Sequence, residues 1–123
     1  MKVGGYKYFS EAEFAKATPS CSLSQMDDWF MQRLDKVREL AKVPMIVNSA
    51  FRSPQWEREH CRSGNSAHTY GMAVDIHCTD NYMRFRILCA AFEVGINRIG
   101  IGKNFIHLDD SVILPEPRVW LYE

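Results

Sequence analysis

Two histidines and one aspartate are the residues of this sequence that are best suited to metal chemistry. His68 and Asp75 stand seven positions apart in the stretch SAHTYGMAVD, and His107 follows later in NFIHLDD. Imidazole nitrogens and carboxylate oxygens are ordinary zinc ligands, and three protein ligands with one open position form the catalytic arrangement. The sequence therefore predicts a zinc site at His68, Asp75 and His107, with one coordination position left for chemistry.

Each of these residues also has a structural interpretation. A single histidine on a strand is more often a hydrogen-bonded structural residue than a metal ligand. Asp75 lies between Val74 and Ile76, and a carboxylate among β-branched apolar residues needs a partner that compensates its charge. That partner is either a metal ion or a buried arginine, and the sequence leaves both open.

The same stretch matches the whole pattern S-x-H-x-x-G-x-A-x-D, with Ser66, His68, Gly71, Ala73 and Asp75 in register. This pattern resembles the signature of the zinc D-alanyl-D-alanine peptidases and their relatives, the peptidase M15 family. The segment SAFRSPQ resembles the S-x-x-R-S-P segment of that family, and the histidine of NFIHLDD resembles its third zinc ligand. The resemblance spans residues 45–110, about half of the chain.

The resemblance implies an enzyme that uses Zn²⁺ to hydrolyse peptide bonds in the stem peptides of bacterial peptidoglycan. It also implies a small α+β domain of the hedgehog/DD-peptidase type, with an antiparallel sheet and helices packed on one side. Arg52 falls where the family has an arginine that holds the substrate carbonyl or carboxylate. A planar, permanently charged guanidinium suits both tasks. A surface salt bridge is the structural alternative for Arg52.

The residue that accepts a proton during such a reaction is less clearly marked. Many relatives have an acid or a histidine shortly before the third ligand, where this chain has Asn104 and Phe105. Others have an H-x-D pattern, which His107 and Asp109 reproduce. Because strand residues two apart share a face, Asp109 is expected beside His107. Three interpretations of Asp109 stay open: the catalytic base, a group that orients a ligand or contacts substrate, and a solvated acid.

Several residues near the signature are weaker candidates. His77 shares the predicted face of Asp75 and is either a second candidate base or an ordinary strand histidine, whereas His60 is expected at the surface. Ser66 is predicted to contact substrate or to hydrogen-bond within its own turn, and Tyr70 is predicted to contact substrate. The other aromatic residues considered for a groove are Trp56, Tyr82 and Trp120.

These side chains must be positioned by helices and strands, beginning with two helices in the N-terminal third. Ser10 and Glu13 form the capping-box pattern of a short first helix. The apolar residues of SQMDDWFMQRLDKVRELAK recur at helical spacing. They predict the longest helix, with Ser24 as its cap and both Trp29 and Phe30 in the core.

The rest of the chain predicts two more helices and most of the strands. Pro54 suits the first turn of one helix, and NYMRFRILCAAFEVG predicts another that ends at Gly95. Strands are predicted in PMIVNSAF, in GMAVDIH, on both sides of a hairpin turn at 102–104, and in RVWLYE. Early helices and later strands indicate a single α+β domain over residues 1–123, with a small, largely antiparallel sheet.

Composition narrows the class of partner. The 123 residues are 46% hydrophobic and 24% charged, as in an ordinary soluble domain, and fifteen basic residues balance fifteen acidic ones. A neutral chain is unlike a general binder of nucleic acid or anionic membranes, and no apolar run approaches the roughly 20 residues of a membrane span. We therefore expect peptidoglycan stem peptides as the partner, with no nucleic acid and no membrane.

The N-terminal stretch and the cysteines give expectations about location and redox state. MKVGGYKYFSEAEF has no apolar signal-peptide core. We therefore expect cytoplasmic synthesis, with action on the cell wall after phage-type release or other non-classical export. None of the four cysteines forms a C-x-x-C pair, so reduced thiols are expected. Cys78, three residues after Asp75, leaves a metal or redox role as the minor alternative.

Two other functions stay open at this point. The first is a non-catalytic, metal-containing module that binds the cell wall or serves a structural role, which the absence of an acid or histidine at Asn104 and Phe105 motivates. The second is a metal-free globular protein with reduced thiols. The choice between carboxypeptidase and endopeptidase is also open, as is the oligomeric state, for which a monomer is the working expectation.

Overall fold

The computed structural model describes residues 5–122. Residues 1–4, which begin the stretch considered for a signal sequence, and residue 123 at the end of RVWLYE lie outside the described residues. The helices are α1 (Glu11–Ala15), α2 (Asp28–Ala41), α3 (Pro54–Glu59) and α4 (Asn81–Val94), with 3₁₀ helices at Leu23–Gln25 and Ala67–Tyr70. The strands are β1 (Val47–Ser49), β2 (Ala73–His77), β3 (Arg98–Ile101), β4 (Phe105–Asp109) and β5 (Arg118–Leu121). The predicted α+β class is confirmed.

The strands form one mixed sheet in the order β1-β2-β4-β3-β5. Neighbouring strands are antiparallel except β3 and β5, which are parallel. The end of β4 at Asp109 and the start of β5 at Arg118 both lie opposite Arg98. The connection between them therefore crosses one end of β3, and β5 must run in the same direction as β3. The sheet is largely antiparallel, as predicted, with one parallel pair at its edge.

One row of register partners crosses all five strands. It runs through Ser49, Asp75, His107, Gly100 and Trp120, one position from each strand. Because side chains alternate between the two faces of a sheet, these positions share one face. Two of the three predicted ligands therefore lie side by side near the middle of the sheet.

The opposite face of the sheet carries the apolar core. Val74, Ile76, Ile99, Ile106 and Leu108 are buried in one cluster with the apolar residues of α2 and α4. Burial of each such side chain contributes roughly 1.5–3 kcal/mol to stability relative to an exposed position. The two long helices thus cover one face, as expected, and the other face is left for polar chemistry.

Helix α2 differs from its prediction in two respects. Its N-cap is Asp27, whose carboxylate accepts a hydrogen bond from Phe30 N at 2.8 Å. Ser24 lies instead in the preceding 3₁₀ helix, where its hydroxyl pairs with that of Ser22. Phe30 is fully buried but Trp29 is 64% exposed, so the core prediction for Trp29 was wrong. Consecutive helical residues point about 100° apart, so only one of the two faces the core.

The other predicted ends and turns are confirmed. Ser10 N donates to Glu13 at 2.8 Å at the start of α1. Pro54 occupies the first turn of α3, and Gly95 ends α4 with a φ of 97°. The β3–β4 hairpin turns at 102–104, where Gly102 N donates to the carbonyl of Phe105 at 2.9 Å.

Two further properties concern the described residues. No helix within residues 5–122 has the length and apolarity needed to cross a membrane. All four cysteines are free thiols, with Cys21 and Cys78 buried and Cys61 and Cys89 exposed.

Candidate metal centre and cleft

His68, Asp75 and His107 converge on one point, although they belong to the second 3₁₀ helix, β2 and β4. Each offers one ligand atom, and the three atoms lie within 4.8 Å of one another. Oδ1 of Asp75 is 3.5 Å from Nε2 of His68 and 2.9 Å from Nδ1 of His107. Ligand atoms about 2.0–2.1 Å from a tetrahedral zinc ion are roughly 3.3 Å apart. The three side chains, called the ligand cluster below, therefore have a donor set and spacing that fit zinc.

His68 is oriented by a backbone partner. Its Nδ1 lies 2.7 Å from the carbonyl oxygen of Ala50 and donates to it, which leaves the lone pair of Nε2 directed at Asp75. The chain then turns back into β2 through Gly71, which has a φ of 69°. A Cβ at Gly71 would lie 2.4 Å from the carbonyl oxygen of Gln25, so only glycine fits this turn.

His107 is oriented by a carboxylate instead. Its Nε2 lies 2.6 Å from Oδ2 of Asp109, and its Nδ1 therefore faces Asp75. Asp109 is fully buried, and its Oδ1 accepts hydrogen bonds from Arg98 Nε at 2.8 Å and from Ser111 N at 3.0 Å. A carboxylate that fixes the second nitrogen of a histidine is the usual support for a metal-binding imidazole.

The pKa shifts agree with this division of roles. Burial lowers the pKa of His68, which keeps the imidazole neutral, and the nearby carboxylate of Asp75 opposes this only in part. Burial raises the pKa of Asp75, but the hydrogen bond from His107 and the proximity of His68 outweigh it and hold the pKa below its usual value. Burial also lowers the pKa of His107, but its hydrogen bonds to Asp109 and Asp75 outweigh that effect and raise it. Asp75 is therefore an ionised carboxylate at neutral pH.

Arg52 is buried in the wall of the cluster, with 6% of its surface exposed. Its Nε donates to Ser49 Oγ at 3.0 Å, and its two terminal nitrogens donate to Asp75 Oδ2 at 3.2 Å and Glu57 Oε2 at 3.4 Å. Asp75 therefore has a buried arginine on one oxygen while its other oxygen faces the histidines. A guanidinium has five N–H groups, so two stay available for a substrate.

Glu57 is a site residue that sequence reasoning missed. It is fully buried on α3 and accepts hydrogen bonds from Ser66 Oγ at 2.5 Å and Gly64 N at 3.2 Å, as well as from Arg52. Burial raises the pKa of Glu57, but the hydrogen bonds from Ser66 outweigh it and lower the pKa. The sequence contains nothing that distinguishes Glu57 from Glu59, which is exposed on the same helix.

A cleft of about 340 Å³ lies over the ligand cluster. Arg52, Ser66 and Asp109 line it, as the sequence-predicted roles require. Sequence reasoning considered Phe105 only as a position without a base, and it did not single out four other lining residues: Arg62, Arg98, Leu114 and Tyr122. Trp120, predicted as a groove residue, also lies in the wall.

The remaining candidates lie elsewhere in the described residues. Tyr70 is 54% exposed and lines a separate apolar hollow with Met72 and Ile113, so its contact with a substrate stays a prediction. Trp56 stacks on His60 at 3.9 Å between ring centroids, and His60 is exposed, as expected. Tyr82 and His77 are exposed and do not line the cleft described above.

Comparison with known families gives one match. The family model described as Peptidase M15 matches residues 7–109, most of the chain. The matched region contains the ligand cluster, Arg52 and Asp109, and it ends before β5. No curated protein and no solved structure gives a significant match.

Proposed function

Because the chain belongs to the peptidase M15 family, we propose that it is a zinc-dependent peptidase that hydrolyses peptide bonds in the stem peptides of peptidoglycan. Membership of this family indicates a metallopeptidase, and peptidases of the family depend in general on zinc. The substrate, the bond that is cut and the roles of individual residues belong to the proposal.

The observation that carries the proposal is the ligand cluster itself. Three separate segments bring His68, Asp75 and His107 within 4.8 Å, and each histidine has its second nitrogen occupied by Ala50 or Asp109. The remaining nitrogens, Nε2 of His68 and Nδ1 of His107, are both directed at Oδ1 of Asp75, where a cation would bind all three groups.

The residues around the ligand cluster bind the substrate and position the loop that carries His68. His68, Asp75 and His107 would hold the zinc ion, which would supply a Lewis acid and would lower the pKa of a water molecule at the open position to about 7. Arg52, held in place by Glu57 and Asp75, directs its two available N–H groups to the substrate carbonyl or carboxylate. Ser66, held by Glu57, places the loop that carries His68 at the rim of the cleft.

We assign Asp109 a positioning role. Both of its oxygens already accept hydrogen bonds, from His107 on one side and from Arg98 and Ser111 on the other. These three hydrogen bonds use three of the roughly four lone pairs of the carboxylate, and the side chain is only 1% exposed, so little of it is accessible to a proton from water. Asp109 therefore acts through His107, whose Nδ1 it keeps directed at the cluster.

One observation favours a second function, a non-catalytic wall-binding module that contains metal. Among the described residues that line the cleft, Asp109 is the only carboxylate outside the ligand cluster, and both of its oxygens are engaged. A module of this kind would bind zinc and stem peptides without cutting them.

Digestion of purified peptidoglycan separates the two functions. Zinc-loaded protein is incubated with peptidoglycan, and the released fragments are identified by mass spectrometry. The proposal expects cut stem peptides, loss of all cutting with a chelator and in His68→Ala, and full activity in His60→Ala, which changes an exposed histidine. Binding to peptidoglycan without any released fragment would support the module instead, and full activity in His68→Ala would contradict the metallopeptidase.

The site of action follows as part of the same proposal. Peptidoglycan lies outside the cytoplasm, so we propose that the protein is made in the cytoplasm and reaches the wall by phage-type release or other non-classical export. We also propose that it acts as a monomer with stem peptides as its partner. Detection of the protein in culture fluid only after lysis would support this route, and its presence outside intact cells by classical secretion would contradict it.

A further inference from the structure

Trp120 reaches the ligand cluster from two strands away. It lies on β5, in the register row that contains Gly100 on β3 and His107 on β4. Strands two apart in a sheet are separated by roughly 9–10 Å. The indole ring of Trp120 nevertheless lies 5.4 Å from the imidazole of His107, measured between ring centroids.

Gly100 is what permits this approach. A Cβ at Gly100 would lie 2.5 Å from the ring of Tyr122 and 2.6–2.7 Å from the indole of Trp120. These distances are shorter than any real carbon contact, so the absent side chain leaves the space that the indole crosses. Trp120 thus lies over β3 and forms part of the cleft wall beside His107.

The indole is held there by further contacts. The guanidinium of Arg98 lies over its ring, 4.9 Å from the centroid, and the ring of Tyr122 is 6.2 Å away in an edge-on arrangement. Tyr122 in turn packs against Phe105 at 4.9 Å. Because Arg98 also donates to Asp109, the indole and the carboxylate that orients His107 share one support. The indole is therefore held in the cleft wall by contacts with both Arg98 and Tyr122.

We propose that Trp120 is a specificity-determining residue of the cleft, which binds the substrate residue next to the scissile bond and limits the size of its side chain. The proposal rests on the peptidase function proposed above. A substrate carbonyl at the ligand cluster lies beside His107, so the neighbouring side chain of the substrate must pass the indole.

The dimensions and chemistry of the cleft indicate which side chains fit. At about 340 Å³ the cleft is near the small end of ligand pockets. A flat apolar ring offers a contact surface for C–H groups and little conformational freedom to lose on binding. We therefore expect the wall to suit a small aliphatic side chain such as that of alanine and to disfavour a leucine at the same position.

The test compares Trp120→Ala and Trp120→Phe with Trp29→Ala, which changes an exposed tryptophan outside the cleft. The substrates are synthetic stem peptides in which each residue beside the bond that the unmodified protein cuts is made alanine or leucine in turn. We expect Trp120→Ala to raise kcat/KM for the leucine peptide relative to the alanine peptide by about tenfold or more. Trp120→Phe, which keeps a ring, should shift this ratio less, and Trp29→Ala should leave it unchanged.

An unchanged ratio in Trp120→Ala, with all the proteins active, would overturn the inference and leave the peptidase function standing. The Phe variant keeps the test meaningful if the Ala variant does not fold. An equal ratio in Trp120→Phe and in the unmodified protein would then overturn the inference as well.

Fluorescence gives a readout that does not depend on hydrolysis. In a Trp29→Phe, Trp56→Phe variant, Trp120 is the one tryptophan left of the three in the sequence. The same peptides are titrated with zinc present and after chelation. A saturable change in emission that is stronger for the alanine peptide supports the inference even if the protein cuts nothing, which would sink only the proposed function. No change in either metal state would overturn the inference.

Discussion

The carboxylate of Asp109 holds Nε2 of His107 at 2.6 Å, which directs the other nitrogen of that ring at Asp75. The contact joins residues two apart on one strand, and Arg98 on the neighbouring strand holds the carboxylate from its other side. Asp109 therefore links the metal ligand His107 on its own strand to Arg98 on the neighbouring strand, and it is the first target for mutation.

We predict that Asp109→Ala lowers zinc affinity about 10- to 100-fold, because His107 loses the partner that fixes its orientation. The zinc affinity of Asp109→Asn should lie between those of the unmodified protein and Asp109→Ala, since an amide oxygen still accepts a hydrogen bond from Nε2 but carries no charge. Competition with a chromogenic chelator measures the affinity. Asp80→Ala, which removes the exposed cap of α4, is the control and should bind zinc normally. Normal zinc affinity with abolished turnover in Asp109→Ala would instead identify a catalytic base.

We predict that Gly100→Ala displaces Trp120 and Tyr122 and lowers the free energy of unfolding by about 1–3 kcal/mol, as overpacking does. Chemical denaturation gives the energy, and near-ultraviolet circular dichroism reports the aromatic rings. The matched control places the same change in a Trp120→Ala, Tyr122→Ala background, where most of the cost should disappear. An equal cost in both backgrounds would mean that the glycine is needed for another reason.

We predict that Glu57→Gln destabilises the fold by about 1–3 kcal/mol, because it weakens a buried, charge-assisted network that holds Arg52 and Ser66. The midpoint of urea unfolding measures the effect. Glu59→Gln on the same helix is the control, since Glu59 is exposed. Equal midpoints for the two variants would show that the network around Glu57 contributes no stability.

Asp110 gives a prediction about pH. Burial raises its pKa to about 6, Arg33 opposes this from 2.9 Å away, and the charges of Asp109 and Asp27 add to the effect of burial. Because the folded pKa is above the unfolded value of about 3.9, the folded state binds this proton more tightly. The stability that the proton contributes is complete below about pH 4 and is lost as the pH rises through about 6.

Asp110→Asn removes this titration. We therefore expect its free energy of unfolding, relative to the unmodified protein, to increase by on the order of 1–2 kcal/mol between about pH 4 and about pH 7. Denaturation curves at several pH values measure the difference, with Asp80→Asn, which changes an exposed aspartate, as the control. A difference that does not change with pH would show that Asp110 is not the group responsible.

The sequence was most informative where a function depends on local spacing. His68 and Asp75 lie seven positions apart in one stretch of the sequence, so their pattern could be recognised directly. The H-x-D spacing then predicted that Asp109 lies beside His107. Strand alternation also predicted that these side chains share a face. The convergence of the ligand cluster was therefore predictable once His107 was assigned to a neighbouring strand.

The rest of the cleft depends on pairings that no local pattern encodes. Trp120 lies near His107 only because β5 pairs in parallel with β3 and a glycine occupies the position between them. Glu57 is buried because the loop before His68 folds over α3, whereas Glu59 points to solvent. Trp29 shows the same limit, since helical spacing does not decide which of two adjacent large residues faces the core.

The most direct test of the account is metal binding. After equilibrium dialysis against zinc and removal of excess metal, elemental analysis gives the number of ions per chain. The account predicts about one zinc per chain in the unmodified protein and in the exposed-histidine controls His60→Ala and His77→Ala. It predicts almost none in His68→Ala, Asp75→Asn and His107→Ala. No bound zinc in the unmodified protein, or zinc kept at full occupancy by all three cluster variants, would contradict it.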